Sequence, residues 1–372
     1  MRVLSPSSFF VLSLSALLTG CGGGTKTSTP VTPPVPPAYA ASAQYAYVAT
    51  GVGFVDEYSI STKGVWTEIG RTPAGGTAIA IDPQHRFLYA ITGSDALSTI
   101  SMFTITASTG VLVPTSPATI KIPGLFSQGI AVDGLGKFVY TADTDSDTVT
   151  SLAINQTTGV LTPTSVSSIA TDKSPNGVTT DASGQYVYVS NKGDGYISEY
   201  IIDQNTGNLT PNNPASVAGA PGPFAGTINP AGTFYYSPGQ ASSYVTVLAL
   251  NSTTGVLSEV ASGEIQTGNG PTSVALTPNG KFAYVTNRTD NTLAGFSVDA
   301  TSGLLTSLGN TFIPGGDLPT NIVVDPGGQL AYVSCGGSSL VTIFGIEASG
   351  AITQVGSAST DEGPVAVALV PR

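Results

Sequence analysis

The sequence has 372 residues, with 12 lysines and arginines against 23 aspartates and glutamates, which gives a formal net charge of −11. A chain this acidic repels phosphate backbones, so nucleic acid is excluded as an expected partner. Only 9% of the residues are charged, against about 25% in an average soluble domain, and the two cysteines are too few for a disulfide framework.

The first 20 residues are typical of an export signal. Arg2 supplies a positive charge, and the apolar run from Phe9 to Leu18 is too short to cross a hydrocarbon core about 30 Å thick. The signal ends in Leu-Thr-Gly-Cys at 18–21, which resembles a bacterial lipobox. That resemblance implies cleavage before Cys21 and acylation of its thiol. We therefore expect an exported bacterial lipoprotein, anchored to the membrane at Cys21 and periplasmic or on the cell surface. An ordinary secretory peptide with a chance cysteine is the alternative.

Residues 21–42 are predicted to be a tether. They are rich in proline, threonine and glycine and have no periodic apolar face, so they should stay solvated and partly extended. The folded domain is predicted to comprise residues 43–372.

A tandem repeat fills residues 43–372. One tyrosine marks each unit, and it recurs roughly every 48 residues, the length of a four-stranded propeller blade. The tyrosines are Tyr47, Tyr89, Tyr140, Tyr188, Tyr236, Tyr284 and Tyr332. Two residues before each tyrosine stands an aromatic or aliphatic residue, and a glycine follows later in every unit. The glycines are Gly64, Gly110, Gly159, Gly207, Gly255, Gly303 and Gly350.

Each unit predicts four strands separated by turns, because short alternating apolar stretches are bounded by glycine and Pro-x-Gly signals. The fold class is therefore all-β, a seven-bladed β-propeller with four-stranded antiparallel blades. The first unit lacks the strand of the type found at 271–280, and the chain ends on such a strand, residues 364–372. We expect this C-terminal strand to pair with the N-terminal blade and close the ring, which removes exposed strand edges.

The strand that carries each tyrosine also resembles a known repeat. Tyr-Val-Thr-Asn at 284–287 and Tyr-Val-Ser-Asn at 188–191 are similar to the YVTN repeats of bacterial surface propellers. They resemble as well the seven-bladed lactonase family, which includes the propeller-type 6-phosphogluconolactonases. The resemblance covers about residues 43–372 and implies the propeller fold, with lactone hydrolysis as an activity of the family.

Ligands of propellers usually meet the face built by the loops between blades and the loops between second and third strands. On that face we place a set of polar candidates for ligand contact. They are Asp143, Asp145, Asn191, Lys192, Asn287, Arg288 and Cys335. The loops between blades add Arg71, Phe126, Lys173, Phe224, Asp317, Asp361 and Glu362 to the same face.

The catalytic residues that the resemblance implies are missing. Related lactonases carry a histidine and an arginine where an inner strand begins and a glutamate after Tyr-Val-x-Asn, whereas this chain has Gly-Pro-Thr-Ser at 270–273 and Arg288. The single histidine, His85, lies in a turn that maps to the opposite face. A lactonase would then need a carboxylate such as Asp143 or Glu362 to activate water. No catalytic residue is assigned.

Two functions remain open. The first is an extracytoplasmic binding or interaction module for a carbohydrate, peptide or protein, and the second is a lactone hydrolase or cycloisomerase-like enzyme with a divergent active face. The spacing of Asp143, Asp145 and Asp147 resembles half of a calcium loop, but the glycine and bidentate glutamate of a full loop are missing, so a solvated hairpin is expected instead. We expect no metal, no cofactor and a monomer.

Overall fold

The structure, a computed structural model, describes residues 39–93 and 97–372. The predicted signal peptide, Cys21 and most of the predicted tether lie outside the described residues, which belong to a single compact unit. In this part of the chain no helix has the length and apolar character needed to cross a bilayer.

The described residues form seven four-stranded antiparallel sheets, which confirms the predicted seven-bladed propeller. Blade one contains β1 (Ala43–Thr50), β2 (Phe54–Ile60), β3 (Trp66–Pro73) and, from the C-terminus, β28 (Pro364–Pro371). Blade two contains β4 (Ala78–Ile81), β5 (Phe87–Thr92), β6 (Thr99–Ile105) and β7 (Leu112–Lys121). Blade three contains β8 (Ser127–Val132), β9 (Phe138–Asp143), β10 (Thr148–Ile154) and β11 (Leu161–Ala170).

The remaining blades follow the same order from the inner to the outer strand. Blade four contains β12 (Pro175–Thr180), β13 (Tyr186–Asn191), β14 (Tyr196–Ile202) and β15 (Leu209–Ala218). Blade five contains β16 (Thr227–Ile228), β17 (Phe234–Pro238), β18 (Tyr244–Leu250) and β19 (Leu257–Gln266). Blade six contains β20 (Pro271–Leu276), β21 (Phe282–Asn287), β22 (Thr292–Val298) and β23 (Leu305–Phe312). Blade seven contains β24 (Pro319–Val324), β25 (Leu330–Cys335), β26 (Leu340–Ile346) and β27 (Ile352–Ser359).

The repeated tyrosines and glycines join neighbouring blades. In six blades the tyrosine hydroxyl donates to the carbonyl oxygen of the repeated glycine in the next blade, as Tyr47 does to Gly110 at 2.7 Å and Tyr188 to Gly255 at 2.8 Å. The aromatic residue two positions earlier packs directly on the same glycine, where a Cβ at Gly255 would lie 2.1 Å from the Tyr186 ring. We call this arrangement the Tyr–Gly joint. It explains why both columns repeat, since the glycine needs a φ near +71° and has no room for a side chain.

The ring closes as predicted, at a junction of blades seven and one that we call the seam. Strand β28 pairs antiparallel with β1, with Tyr45 opposite Val370 and Thr50 opposite Pro364. Because β28 is the innermost strand of blade one, the first and last segments of the domain share one sheet. The edge of β1 that faces the central axis is therefore paired with β28 and not left open.

Two arginines reinforce the seam. The Arg372 guanidinium donates to the carbonyl oxygens of Ala41, at 3.3 Å, and Ile60. On the other side Arg71 forms ion pairs with Asp361 and, at 3.8 Å, with the buried Asp56.

Residues 39–42, which precede the predicted boundary at 43, also contact the propeller. Tyr39 packs against the cluster between blades seven and one. Ser42 donates through Oγ to Asp325 at 2.8 Å. These residues therefore contribute to the folded domain.

The loops divide between two faces. The upper face carries the loops between blades and the loops between second and third strands, and the lower face carries the other loops. Inner strands begin at the upper face. In blades one, three, four, six and seven the register between the inner strand and the second strand shifts at this start, which indicates a β-bulge. The chain enters the propeller on the lower face, where β1 begins beside the loop that contains Asp325.

Blade five departs from the pattern, because its inner strand is only Thr227–Ile228. The connection before it, residues 219–226, is held by isolated bridges from Pro223 to Gly239 and from Ala225 to Ser273. Tyr235 fills the space beside the short strand, fully buried with its hydroxyl 3.1 Å from Ser190 Oγ. The predicted four-strand unit is therefore present with a shortened inner strand.

Candidate functional site

Four of the predicted ligand-face residues end their second strands with buried side chains. Asp143, Asn191, Asn287 and Cys335 each have 0% exposure. The carboxylate of Asp143 accepts hydrogen bonds from Ser127 (2.5 Å), Thr150 (2.6 Å), Thr141 (2.8 Å) and Thr148 (3.4 Å). These side chains therefore join strands and loops inside the blades. The prediction that they lie on the exposed ligand face is wrong.

The other three members of this group make comparable internal contacts. Asn191 donates to Ser198 Oγ at 2.8 Å, and Asn287 donates to Thr292 Oγ1 at 3.0 Å. The Cys335 thiol lies 3.6 Å from Thr342 Oγ1, and burial raises its pKa, so it is poorly suited to act as a nucleophile. Burial likewise raises the pKa of Asp143, against the opposing effect of its hydroxyl donors.

The three carboxylates of the predicted hairpin do not converge. Asp143 points into the blade, and Asp145 is exposed. Asp147 accepts from Lys173 Nζ and from the Ser174 amide, both at 2.7 Å, and the Lys173 hydrogen bond holds the pKa of Asp147 below its usual range. Within residues 39–93 and 97–372 no group of three or more potential ligands could hold a metal ion.

The remaining candidates, Lys192 and Arg288, belong to a ring of equivalent positions. Each member lies four residues after the repeated tyrosine, at the start of the loop between second and third strands. The outer ring consists of Gly51, Gly93, Thr144, Lys192, Gln240, Arg288 and Gly336. At most of these positions the backbone N–H donates to the residue just before the inner strand, as Arg288 does to Gly270 O at 2.9 Å.

A second ring lies at the upper ends of the inner strands, around the central axis. In five blades its member is the extra residue of the β-bulge. The inner ring consists of Thr77, Gln128, Asn176, Phe224, Thr272, Thr320 and Val365. Bulges turn side chains out of the regular alternation and are frequent beside binding sites. We call the two rings together the upper mouth.

Contacts between the rings run from one blade to the next. Thr144 Oγ1 donates to Pro175 O at 2.7 Å, and Lys192 Nζ lies 5.7 Å from the centroid of the Phe224 ring. The side chains of Thr144 and Lys192 therefore lie against the start of the following inner strand. By the equivalence of the ring positions, we expect Arg288 to lie beside the start of β24.

Arg288 differs from the other arginines of the domain. Arg71 and Arg372 hold the seam, and Arg86 pairs with Asp82 at 2.9 Å. Arg288 has no ion pair among the described residues, and its Nε is buried without a hydrogen-bond partner. A buried guanidinium N–H that lacks an acceptor costs free energy, so an external acceptor would be favoured there.

Uncommitted amides accompany this cation. The side chains of Gln128, Asn176 and Gln240 are half-buried, and none makes a hydrogen bond within the described chain. Phe126, two residues before Gln128, is 39% exposed and adopts a positive φ of 50°. Neither ring contains a carboxylate or a histidine, and His85 lies in a turn on the lower face.

Sequence reasoning found Lys192, Arg288 and Phe224 but missed Gln128, Asn176 and Gln240. Gln128 and Asn176 directly follow the first residues of inner strands, Ser127 and Pro175. They therefore occupy the same position in the sequence repeat, and that position could have been identified. The bulge that changes the direction of these side chains has no signal in the residue types alone.

A family profile described as "Lactonase, 7-bladed beta-propeller" matches residues 43–173, 164–270 and 261–369. The chain belongs to this lactonase family. Among solved structures, this lactonase-family propeller is similar to a proposed 6-phosphogluconolactonase from Bacteroides fragilis, with 23% identity, a TM-score of 0.77, and 88% of this chain and 98% of that chain covered. It is also similar to the periplasmic gluconolactonase PpgL from Pseudomonas aeruginosa, with 20% identity, a TM-score of 0.75, and 88% and 98% covered.

These two structural likenesses support the fold and carry no assignment of activity, because both identities are low. No match was found among proteins of curated function.

Proposed function

We propose that this lactonase-family propeller is an exported, lipid-anchored binding module that holds a sugar acid at the upper mouth. The observation that carries the proposal is Arg288, whose buried Nε lacks an acceptor while every other arginine of the domain is committed to a structural contact. A guanidinium recognises a carboxylate through two parallel hydrogen bonds.

Other positions of the two rings suit the rest of such a ligand. Gln128, Asn176 and Gln240 offer both donors and acceptors to hydroxyl groups. Phe224 supplies an apolar face, and Lys192 adds a second positive charge within an acidic protein. The absence of any acid from the two rings favours an anionic ligand over a cationic one at this place.

Binding is preferred to catalysis because the upper mouth has no group that could act as a general base. The four hydroxyl donors leave Asp143 no role in activating water. Lactone hydrolysis is the second candidate, since the family is named for it and Glu362 is an exposed upper-face carboxylate without a hydrogen bond in the described chain. The structural relatives named as gluconolactonases motivate this candidate without assigning it.

Export and anchoring at Cys21 rest on the sequence alone. We propose a membrane-anchored monomer, periplasmic or on the cell surface, that uses no cofactor and binds no nucleic acid.

The first experiment is calorimetric titration of the purified chain with gluconate, with glucose as the uncharged control. We expect gluconate to bind more tightly, and Arg288→Ala to weaken it about 10- to 150-fold, the worth of a hydrogen bond to a charged group at about 1.5–3 kcal/mol. Lys281→Ala removes an exposed positive charge from the lower face and should leave affinity unchanged. Equal binding of gluconate and glucose, or equal losses in the two variants, would refute the proposal.

Assays against a panel of sugar and aryl lactones address the second candidate. Turnover that disappears in Glu362→Gln and survives in Arg288→Ala would establish hydrolysis in place of simple binding. No turnover across the panel, together with gluconate binding, would favour the binding module.

A further inference from the structure

A pocket of about 420 Å³ opens on the upper face at the seam. We call it the seam pocket, and it is lined by Gly51, Val52, Gly336, Gly337, Ser338, Ser339, Glu362 and Gly363. Its volume lies in the range of small-molecule sites. None of the upper-mouth residues proposed to bind the sugar acid lines it.

At the seam pocket the two outer-ring positions are glycines and carry no side chains. Blades three to six carry Thr144, Lys192, Gln240 and Arg288 at this position, whereas blades seven and one carry Gly336 and Gly51. Gly51 does not have a positive φ, and an added Cβ would meet nothing closer than Gly363 O at 3.4 Å. The glycine is thus not required by backbone geometry there, and its effect is to leave the space open.

The charge of the seam pocket is uniformly negative. Glu362 is the only ionisable residue in its wall, and the carboxylate makes neither an ion pair nor a hydrogen bond among the described residues. Asp317 lies directly beside the wall, since a Cβ at Gly337 would be 3.1 Å from the Asp317 side chain. Arg71, on β3 of blade one, is already paired with Asp361 and Asp56.

The polar groups of the wall add acceptors. Ser339 Oγ makes no hydrogen bond in the described chain, so it can accept one from a ligand beside Glu362. The wall therefore contains a carboxylate, an unpaired hydroxyl and exposed glycine backbone. Among the described residues it offers several hydrogen-bond acceptors and no positively charged donor. Such a wall suits a group that only donates, which is the property of an ammonium ion.

We infer that the seam pocket is a binding site for a small molecule that carries a primary ammonium group, with Glu362 as its counter-ion. This site has the opposite charge preference to the sugar-acid site proposed around Arg288. The two sites can therefore be tested independently, and failure of one does not entail failure of the other.

The test uses a β-1,4-linked glucosamine trisaccharide and its fully N-acetylated counterpart, titrated calorimetrically into the purified chain at a pH where the amines are protonated. We expect the free amine to bind at least about tenfold more tightly than the acetylated sugar. Glu362→Gln should remove most of that preference, because it deletes the only charge in the wall at nearly constant shape.

Two further variants separate a built site from diffuse attraction by an acidic protein. Gly51→Gln places an uncharged side chain in the pocket and should reduce binding as strongly as Glu362→Gln. Glu347→Gln removes one exposed negative charge on the lower face and should leave affinity unchanged. Gluconate binding should persist in Glu362→Gln and Glu347→Gln, because neither residue belongs to the two rings of the upper mouth.

Several results would overturn the inference. One is equal affinity for the amine and the acetylated sugar, which would show that the ammonium group is not recognised. Another is an equal loss in Glu347→Gln and Glu362→Gln, which would indicate diffuse charge. A third is lactone turnover that depends on Glu362 without any binding of the amine, which would assign the carboxylate to hydrolysis.

Discussion

The seam and the six other junctions between blades use the same positions with different chemistry. At the six ordinary junctions an aromatic ring covers the repeated glycine and a tyrosine hydroxyl donates to its carbonyl oxygen, as for Tyr140 and Gly207 at 3.1 Å. At the seam the corresponding residues are Leu330, Tyr332 and Gly64, and the buried Tyr332 hydroxyl has no partner in the described chain.

The difference follows the path of the chain. At the six ordinary junctions the loop between blades leads into a blade whose other strands follow directly in sequence. At the seam residues 360–363 lead only into β28, and the other three strands of blade one are held to it by the β28–β1 ladder, with Arg71 and Arg372 adding contacts. Trp66 packs there on Tyr332 with ring centroids 5.3 Å apart.

Removal of residues 364–372 should have the largest effect, because it deletes the inner strand of blade one. We expect the chain to fail to fold, since β1 would lose its ladder and the ring its closure. Circular dichroism and gel filtration would report the loss. A control chain that begins at Tyr39 keeps all the described contacts and should fold normally. A soluble truncated protein with an unchanged melting profile would show that the seam is dispensable.

Two of the ordinary junctions can also be compared, the one between blades one and two and the one between blades four and five. Each has a buried glutamate on the third strand of its first blade. Glu57 accepts from Leu112 N of the next blade at 2.9 Å and from Thr72 Oγ1 at 2.5 Å. Glu199 accepts from Leu257 N at 3.1 Å, but its Oε1 has no partner, because Val217 occupies the register position of Thr72.

Burial raises the pKa of Glu199 from 4.5 to about 7. The unfolded chain ionises this group from about pH 4.5, whereas the folded chain keeps the proton until about pH 7, so the free energy of unfolding should fall as the pH rises through this window. The total loss is about 3 kcal/mol, from (7 − 4.5) × 1.36. Glu199→Gln should remove this pH dependence in urea titrations at pH 4, 6 and 8.

Val217→Thr tests the cause of the same effect. A hydroxyl at this position would donate to the ionised Glu199, as Thr72 does to Glu57, and should lower the pKa and flatten the pH profile. Thr72→Val is the reciprocal change and should introduce a pH dependence at the first junction. If the profile of Val217→Thr equals that of the unmodified protein, the missing hydroxyl is not the cause.

The sequence predicted the repeated framework because each unit keeps the same residue types at the same spacing. The tyrosine column, its preceding aromatic residue and the glycine turn identified the blades and the closing strand. The sequence did not reveal that the tyrosine of one blade contacts the glycine of the next. A residue type that recurs in every repeat does not indicate whether its partner lies in the same blade or in a neighbouring one.

The site was harder to predict for a physical reason. Asp143 ends a strand at the upper face, which suggested exposure, but both faces of a blade are covered by neighbouring blades and the last residue of the strand remains inside. Lys192 and Arg288, one position later, reach the mouth. Gln128 and Asn176 depend on bulges in the inner strands, which residue types alone do not specify.

The smallest effect is expected from single hydroxyl deletions, which return to the comparison of the seam with the other junctions. Tyr140→Phe leaves the buried carbonyl oxygen of Gly207 without its donor and should lower the free energy of unfolding by about 1–2 kcal/mol. Tyr332→Phe removes a buried hydroxyl that has no partner, so it should be neutral or stabilise by up to about 1 kcal/mol. Urea denaturation of the two variants at one pH measures the difference directly. Equal losses would mean that the Tyr332 hydroxyl is satisfied in solution, for example by a buried water, and that the seam resembles the other six junctions more closely than its contacts indicate.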